Sequence, residues 1–151
     1  LEIIEYSEQY GEYFRKLNEE WLAKYFTLEP IDVAKLSNPG EEIIDKGGHI
    51  YFVRHEGEIV GTAALIKISD SEYEFTKMGV TEHMQGRGFG RKLSEFCIEK
   101  AKELGAKQLI LFSSTKLVKA INLYKSLGFK EVPLEGSEYK RADIKMELSL
   151  T

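Results

Sequence analysis

The chain has 151 residues, 42% of them hydrophobic and 30% charged, the size and composition of one soluble domain spanning residues 1–151 with an ordinary core. Its formal net charge of −4 argues against general binding to nucleic acid or anionic membrane, and its one cysteine, Cys97, excludes an internal disulfide and points to a reducing cytoplasm. No run approaches the roughly eighteen apolar residues of a membrane span, and the opening LEIIEYSEQY lacks the pattern of a signal peptide.

Taken in chain order, Leu1–Tyr6 reads as a short strand. Ser7 reads as the N-cap of a helix through Phe26, in which Tyr10, Tyr13, Phe14, Leu17, Trp21, Leu22 and Tyr25 recur at helical spacing. Pro30 opens a second helix to Leu36, SNPGEE breaks it, and Glu41–Lys46 form one more turn before a Gly pair. Three strands follow, His49–Arg54, Glu58–Ile68 and Glu72–Thr81, joined by the tight turns HEGE and SDSE into an antiparallel meander. From Gly88 to Leu104 the positions Phe89, Leu93, Phe96, Cys97, Ala101 and Leu104 form a helical stripe closed by Gly105. KQLILFSS is a buried strand, Lys116–Leu127 a helix ending at Gly128, and strands at Phe129–Val132 and Tyr139–Leu148 complete the sheet. Strand, helix and strand in succession make the strands ending near Thr81 and Phe112 parallel.

The first 48 residues carry a net charge of −6 and the rest +2. An anionic ligand in the second part and a cationic one near the first would fit, as would solvated helix faces. Between the parallel strands lies TEHMQGRGFGRKL, with Gly86, Gly88 and Gly90 feeding a helix. Such a helix end leaves unpaired N–H groups and partial positive charge, which suits a phosphate. A Walker loop fails because Arg91 and Leu93 stand five residues after Gly86 and Gly88, with no Lys-Ser/Thr. A dinucleotide fingerprint fails because Arg91 takes the place of its third glycine. What remains is Gln85-x-x-Gly88-x-Gly90, a phosphate turn or a glycine-rich loop with no ligand. Its place is the C-terminal end of a parallel strand, where α/β sheets bind ligands.

YEFTKMGVTEHMQGRGFGRKL and AINLYKSLGF, in a β-β-α-β-α-β order, resemble the GNAT superfamily of N-acetyltransferases over nearly the whole chain. The superfamily's phosphate turn, Gln/Arg-x-x-Gly-x-Gly/Ala, is matched by Gln85, Gly88 and Gly90. Its Leu-Tyr-x-x-x-Gly-Phe helix end is matched by Leu123, Tyr124, Gly128 and Phe129. The resemblance implies an α/β (α+β) fold: a mixed, mostly antiparallel sheet of about seven strands, a parallel splayed central pair, and helices on both faces. It also implies transfer of the acetyl group of acetyl-CoA, as cosubstrate, to a primary amine of a small molecule or peptide by direct attack in a ternary complex. A catalytically weak acyl-CoA-binding sensor and a pure interaction domain are the alternatives. A homodimer is compatible with either.

By the same resemblance, Gln85, Gly86, Arg87, Gly88, Phe89, Gly90 and Arg91 hold the pyrophosphate, with Gly88 and Gly90 free to take positive φ and Lys92 adding charge. Met78, Gly79 and Val80 form the strand edge for the pantetheine arm, and the Val80 N–H meets the acetyl carbonyl. Gly79 marks a bulge or a packing contact. Ser114 stands near the place where many members carry Asn, as a pantetheine contact or a helix cap.

Attack on the thioester needs a neutral amine and a proton for the leaving thiolate. Glu74 matches a general-base position of some members, and its even spacing from Met78 and Val80 puts it on their face of the strand; Glu72 shares that parity but lies nearer the turn. The other reading of Glu74 is an exposed or ion-paired strand residue. Tyr124 is the family's proton donor to sulfur, or a core aromatic, or both. His49, His55 and His83 are scattered and no metal site is expected. Trp21, Tyr25 and Phe26, with Glu19, Glu20 and Glu29 nearby, would suit an amine cation or simply pack an amphipathic helix.

Overall fold

Apolar side chains on both sides of the central strands build a sheet covered on both faces, and the computed structural model describes residues 1–137 and 139–151 of it. The strands are β1 (Glu2–Glu5), β2 (His49–His55), β3 (Glu58–Lys67), β4 (Glu72–Val80), β5 (Gln108–Ser113), β6 (Lys130–Val132) and β7 (Ile144–Ser149). Their spatial order is β1-β2-β3-β4-β5-β7-β6. Every neighbouring pair is antiparallel except β4 and β5. The helices are α1 (Gly11–Tyr25), α2 (Pro30–Ser37), α3 (Phe89–Glu103) and α4 (Val118–Ser126).

Two cores result. Leu93, Cys97 and Ala101 of α3 and Ile121 and Tyr124 of α4 pack on one face, against Tyr51, Leu65, Leu109 and Met146. Phe14 and Leu22 of α1 and Leu36 of α2 pack on the other, against Ile50, Phe52 and Ala64. Cys97 is fully buried, and burial pushes its thiol up, which makes it a packing residue.

Three boundaries differ from the sequence expectation. Ser7 precedes a single 3-10 turn, Glu8–Tyr10, closed by a Tyr10 N–H bond to the Ser7 carbonyl, and α1 proper begins at Gly11. The turn expected at Glu41–Lys46 is a wide π turn over Gly40–Ile44. The last strand begins at Ile144 rather than Tyr139. Residues 139–141 leave the ladder because their polar groups bond elsewhere. Lys140 N–H donates to Glu29, and Arg141 donates to Asp32 and Glu29.

One feature of β4 shapes the site. Thr76 pairs with Ala64 and Gly79 pairs with Thr62, so Lys77 and Met78 together oppose Ala63. This is a β-bulge, with Lys77 at φ 57°. It reverses the alternation. Before it, Tyr73 and Phe75 join the α3/α4 core; after it, Met78 and Val80 do so. Glu74 pairs with Ile66, which packs in the α1/α2 core. Glu74 therefore lies on the opposite face from Met78 and Val80, which corrects the expectation drawn from even spacing.

Candidate active site

The parallel ladder ends early. Its last pair is Glu74 and Ile110, yet β4 continues to Val80 and β5 to Ser113. The two ends splay apart, and a cavity of about 880 Å³ fills the wedge, lined by Phe75–Val80, Leu111–Ser114 and Tyr124. Thr81 N–H donates to the Val60 carbonyl at 2.8 Å. In an antiparallel ladder bonding alternates, so Val80, opposite Gly61, turns its own N–H away from β3 and toward the wedge.

At one end of the cavity lies the glycine turn. Gly86 and Gly88 have φ of 82° and 81°, and Gly88 is the N-cap of α3, so L-residues with a side chain would be strained there. Gly90 has ordinary helical geometry, contrary to the positive φ expected of it, because α3 has already begun at Phe89. A Cβ added at Gly86, Gly88 or Gly90 would meet no atom within 4 Å. The backbone of the turn is thus bare toward the cavity, and no acidic residue occupies the first turn of α3. An anion meets N–H groups, a helix dipole and no opposing carboxylate there.

Gln85, Gly86, Gly88, Phe89 and Gly90 line the cavity, whereas Arg87 and Arg91 do not. Arg87 is exposed, and Arg91 donates to the Ser126 hydroxyl at the end of α4. The Gln85 amide donates to the Val80 carbonyl at 3.0 Å, tying the turn to the strand end. His83 is exposed and outside the wall.

Tyr124 lies in the wall with its ring edge-on to Phe75 and Phe129. Burial raises its phenol to about 12, so it stays protonated and able to donate across the neutral range. Ser114 is buried in the wall, where its hydroxyl accepts from the Lys116 N–H, and α4 begins only at Val118. Ser114 is therefore part of the turn before α4 and not its N-cap. Gly79 serves close packing: a Cβ there would sit 2.8 Å from Trp21 Cδ1 and 3.1 Å from the Leu17 carbonyl. The bulge expected at Gly79 falls one and two residues earlier, at Lys77 and Met78.

Trp21, Tyr25 and Phe26 also line the cavity, at the C-terminal end of α1. The Trp21 indole donates to Asn18, which is fully buried and donates to the Phe14 carbonyl. The carboxylates expected beside these rings are engaged elsewhere. Glu19 pairs with Arg15, Glu20 accepts from Thr81 Oγ1 and the Glu82 N–H, and Glu29 accepts from Arg141. Glu74 is buried and is not part of the wall.

Among the residues of the wall that sequence reasoning missed, Lys77, Tyr139 and Arg141 form one bonded group. Lys77 Nζ donates to the Tyr139 hydroxyl at 2.6 Å and lies 3.9 Å from Asp32. Burial lowers its ammonium to about 8, against the opposing pull of Asp32 and Glu74, with Arg141 and Lys35 adding to the depression. Asp32 is fully buried and accepts from both Nη atoms of Arg141 at 2.7 and 2.8 Å. Burial works to raise the Asp32 carboxyl, but Arg141, the Glu29 N–H and Lys77 together hold it below the usual range. One signal for Lys77 stood in the sequence, a lysine at the alternation position shared by Tyr73 and Phe75. Tyr139 and Arg141 carried none, being distant in the chain and outside any motif.

A splayed parallel pair, a bare glycine turn capping the following helix, and a phenol in the wedge define the class of acyl-CoA-dependent acetyltransferases. Residues 6–129 match the Acetyltransferase (GNAT) family, and the chain belongs to that family. It is 34% identical over 95 residues to the uncharacterized N-acetyltransferase YjgM of Escherichia coli, covering 60% of this chain and 57% of that protein. The chain thus spans less than two thirds of that relative. The crystal structure of a GNAT-family acetyltransferase from Staphylococcus aureus Mu50 superposes with a TM-score of 0.88 at 22% identity, covering 99% of both chains. The structure of yncA from Salmonella typhimurium, a putative acetyltransferase with its cofactor acetyl-CoA, gives a TM-score of 0.74 at 19% identity, covering 99% of this chain and 94% of that one. Among the described residues no group of His, Cys, Asp and Glu is arranged to hold a metal ion, and no helix is long and apolar enough to cross a membrane.

Proposed function

We propose that the chain is an N-acetyltransferase that moves the acetyl group of acetyl-CoA to a primary amine of a small molecule or peptide, by direct attack in a ternary complex within the cytoplasm. The observation that carries this reading is continuity. One cavity joins the bare glycine turn, the inward-turned Val80 N–H, the Tyr124 phenol and the aromatic end of α1. Acetyl-CoA, when bound, supplies an activated thioester.

The chain's own groups do the rest. Backbone N–H groups at Gly86, Gly88 and Gly90 hold the pyrophosphate oxygens at the head of α3. Freed backbone groups of Met78 and Gly79 bond the pantetheine arm, and Ser114 lines its path. The Val80 N–H donates to the acetyl oxygen as negative charge grows there, and the Gln85 bond to the Val80 carbonyl fixes that peptide plane. The amine nitrogen bonds the acetyl carbon as the carbon–sulfur bond breaks. The amine releases its proton to water, Tyr124 gives its own to the departing sulfur, and the strongly basic phenolate regains a proton from water, so that the enzyme ends as it began. Glu74 stands behind the wall, so we assign it the electrostatic support of Lys77 rather than contact with the acceptor.

Trp21, Tyr25 and Phe26 form the apolar wall for the acceptor. The test is binding followed by turnover. Acetyl-CoA at a hundredfold excess over Kd should raise the unfolding free energy by about 2.7 kcal/mol, and an amine library should then yield free thiol. A protein that acetyl-CoA stabilises but that releases thiol with no amine would be a sensor, and one that acetyl-CoA leaves unshifted would be neither.

A further inference from the structure

The ionisable residues of the cavity wall are unevenly signed. Among the described residues of the wall, Lys24, Lys77, Lys116, Lys119 and Arg141 face one acid, Glu82, and Glu82 pairs with Lys24 at 3.2 Å. Three of the remaining cations gather around two rings. Lys116 Nζ lies 5.4 Å and Arg141 Cζ 5.9 Å from the centroid of Phe26. Arg141 Cζ and Lys77 Nζ lie 4.5 and 4.3 Å from the centroid of Tyr139. Phe26 and its neighbour Trp21 belong to the acceptor wall, so this cluster is at the acceptor end and not at the glycine turn.

Compensation for the cluster is partial. Asp32 and Glu29 lie behind the wall and take three hydrogen bonds from Arg141, which leaves two of its five N–H groups without a partner among the described residues. Lys116 has no ion pair among the described residues, and it is exposed at the mouth. Lys77 remains mostly protonated at pH 7, given its value of about 8. Every carboxylate that sequence reading set beside Trp21 for a cationic acceptor is engaged in bonds of the fold. A polyamine entering here would bring further positive charge toward Lys116 and Lys119, which have no ion pair among the described residues, in a partly desolvated cleft, where like charges repel strongly.

We propose that the acceptor is a primary amine that also carries a carboxylate, such as an amino acid, with the carboxylate held between Arg141 and Lys116 and the amine directed toward the Val80 end of the wedge. Two spare guanidinium N–H groups and one ammonium match a single planar monoanion, since a guanidinium and a carboxylate share fork geometry. Phe26 is the floor beneath that carboxylate, and Trp21, held in place by Asn18, flanks the path of the amine. The inference rests on the acetyltransferase reading and names the acceptor class within it.

The test uses matched sets: an amino acid, its carboxamide and its decarboxylated amine, for example phenylalanine, phenylalaninamide and phenethylamine, then lysine, lysinamide and cadaverine. Thiol release is followed at pH 7 with saturating acetyl-CoA. The acid should exceed its carboxamide by about tenfold or more in kcat/KM, the scale of one charge-assisted hydrogen bond. Basicity works against this result, because the α-amine of the carboxamide is the less basic and is more often neutral. Lys116→Glu should remove the preference through KM, and the heat stabilisation by acetyl-CoA should stay as in the parent. Equal or better turnover of carboxamides or diamines overturns the inference, as does an acid preference that Lys116→Glu leaves intact. So does a lack of turnover of every acid in protein that acetyl-CoA stabilises. Loss of the acetyl-CoA shift in the parent protein would instead sink the acetyltransferase reading and this inference with it.

Discussion

Tyr124 and Glu74 carry opposite lessons about roles read from sequence. Tyr124 was placed by a motif, and the fold puts its ring in the core and its side chain in the cavity wall at once. Under the proposed function its hydroxyl donates as sulfur takes on charge, so Tyr124→Phe should lower kcat by roughly ten- to a thousandfold and leave acetyl-CoA affinity little changed. Parent-like kcat in the variant would make Tyr124 a packing residue. Glu74 was placed by parity, and the bulge moves it behind the wall. Glu74→Gln should therefore keep most of the turnover and keep the shape of the pH–rate profile, since neutral-amine supply still sets the rise with pH. A loss near neutral pH that recovers at high pH would return Glu74 to the role of base. Asn18 was invisible in advance, because a buried asparagine within an amphipathic helix is read as a solvated position until its partners Phe14 and Trp21 are seen.

At the level of elements, sequence periodicity located the strands β1–β7 and the helices α1–α4 to within a few residues, because most have a one-sided or two-sided apolar pattern and several, such as α2, α3 and α4, have a glycine or proline at or near a boundary. It failed where tertiary bonds overrode the pattern. The bulge in β4 is such a place: nothing local in EYEFTKMGV requires two residues to oppose Ala63. Residues 139–141 are another, since YKRADIKMEL alternates plausibly as a strand but Arg141 finds Asp32 on α2. The turn before α3 was legible in its glycines, and their separate functions emerge only from φ. Gly88 needs a left-handed backbone, so a valine there confounds folding with binding. Gly90 does not, and its Cβ position faces open space. Gly90→Val should keep the melting temperature of the free protein and abolish the shift produced by acetyl-CoA. A retained shift in thermal denaturation would move the phosphate site away from the head of α3.

Across the whole molecule, the sheet separates a core that presents Tyr124 from one that presents Lys77 and Asp32, and the cavity opens where the sheet itself parts. The second core carries a buried charge, which makes stability depend on pH. Lys77 titrates near 8 when folded and near 10.5 when unfolded. Between those values the unfolded chain holds the extra proton, so Lys77 makes the unfolding free energy rise with pH across that window, and its destabilising contribution is fully present below it. Compared with the parent, Lys77→Met should lack that rise. Urea denaturation of both proteins from pH 7 to 10 measures the difference, and parallel curves would show that the Lys77 ammonium is no harder to bury than to expose. The scale of the whole also explains why the acceptor end was the least legible part. It is assembled from α1, the β4 bulge, the start of α4 and the 139–142 segment, four pieces that share no spacing in the chain.

Glu20 joins the first of these pieces to the segment that follows β4. From α1 it accepts the Thr81 hydroxyl and the Glu82 N–H, each at 3.0 Å, at the point where β4 gives way to the glycine turn. The helix that carries Trp21 is thereby fastened to the peptide that leads into the glycine turn, and Gln85 fastens the same stretch to Val80. Under the proposed function, acetyl-CoA bound at the glycine turn should hold that stretch still, and with it the face of α1 proposed for the amine. In kinetic terms the outcome expected under the proposed function is a sequence of arrivals, with acetyl-CoA first and the acceptor second. Coenzyme A should then inhibit competitively against acetyl-CoA and noncompetitively against the amine, whereas Glu20→Ala should relax the order toward random addition.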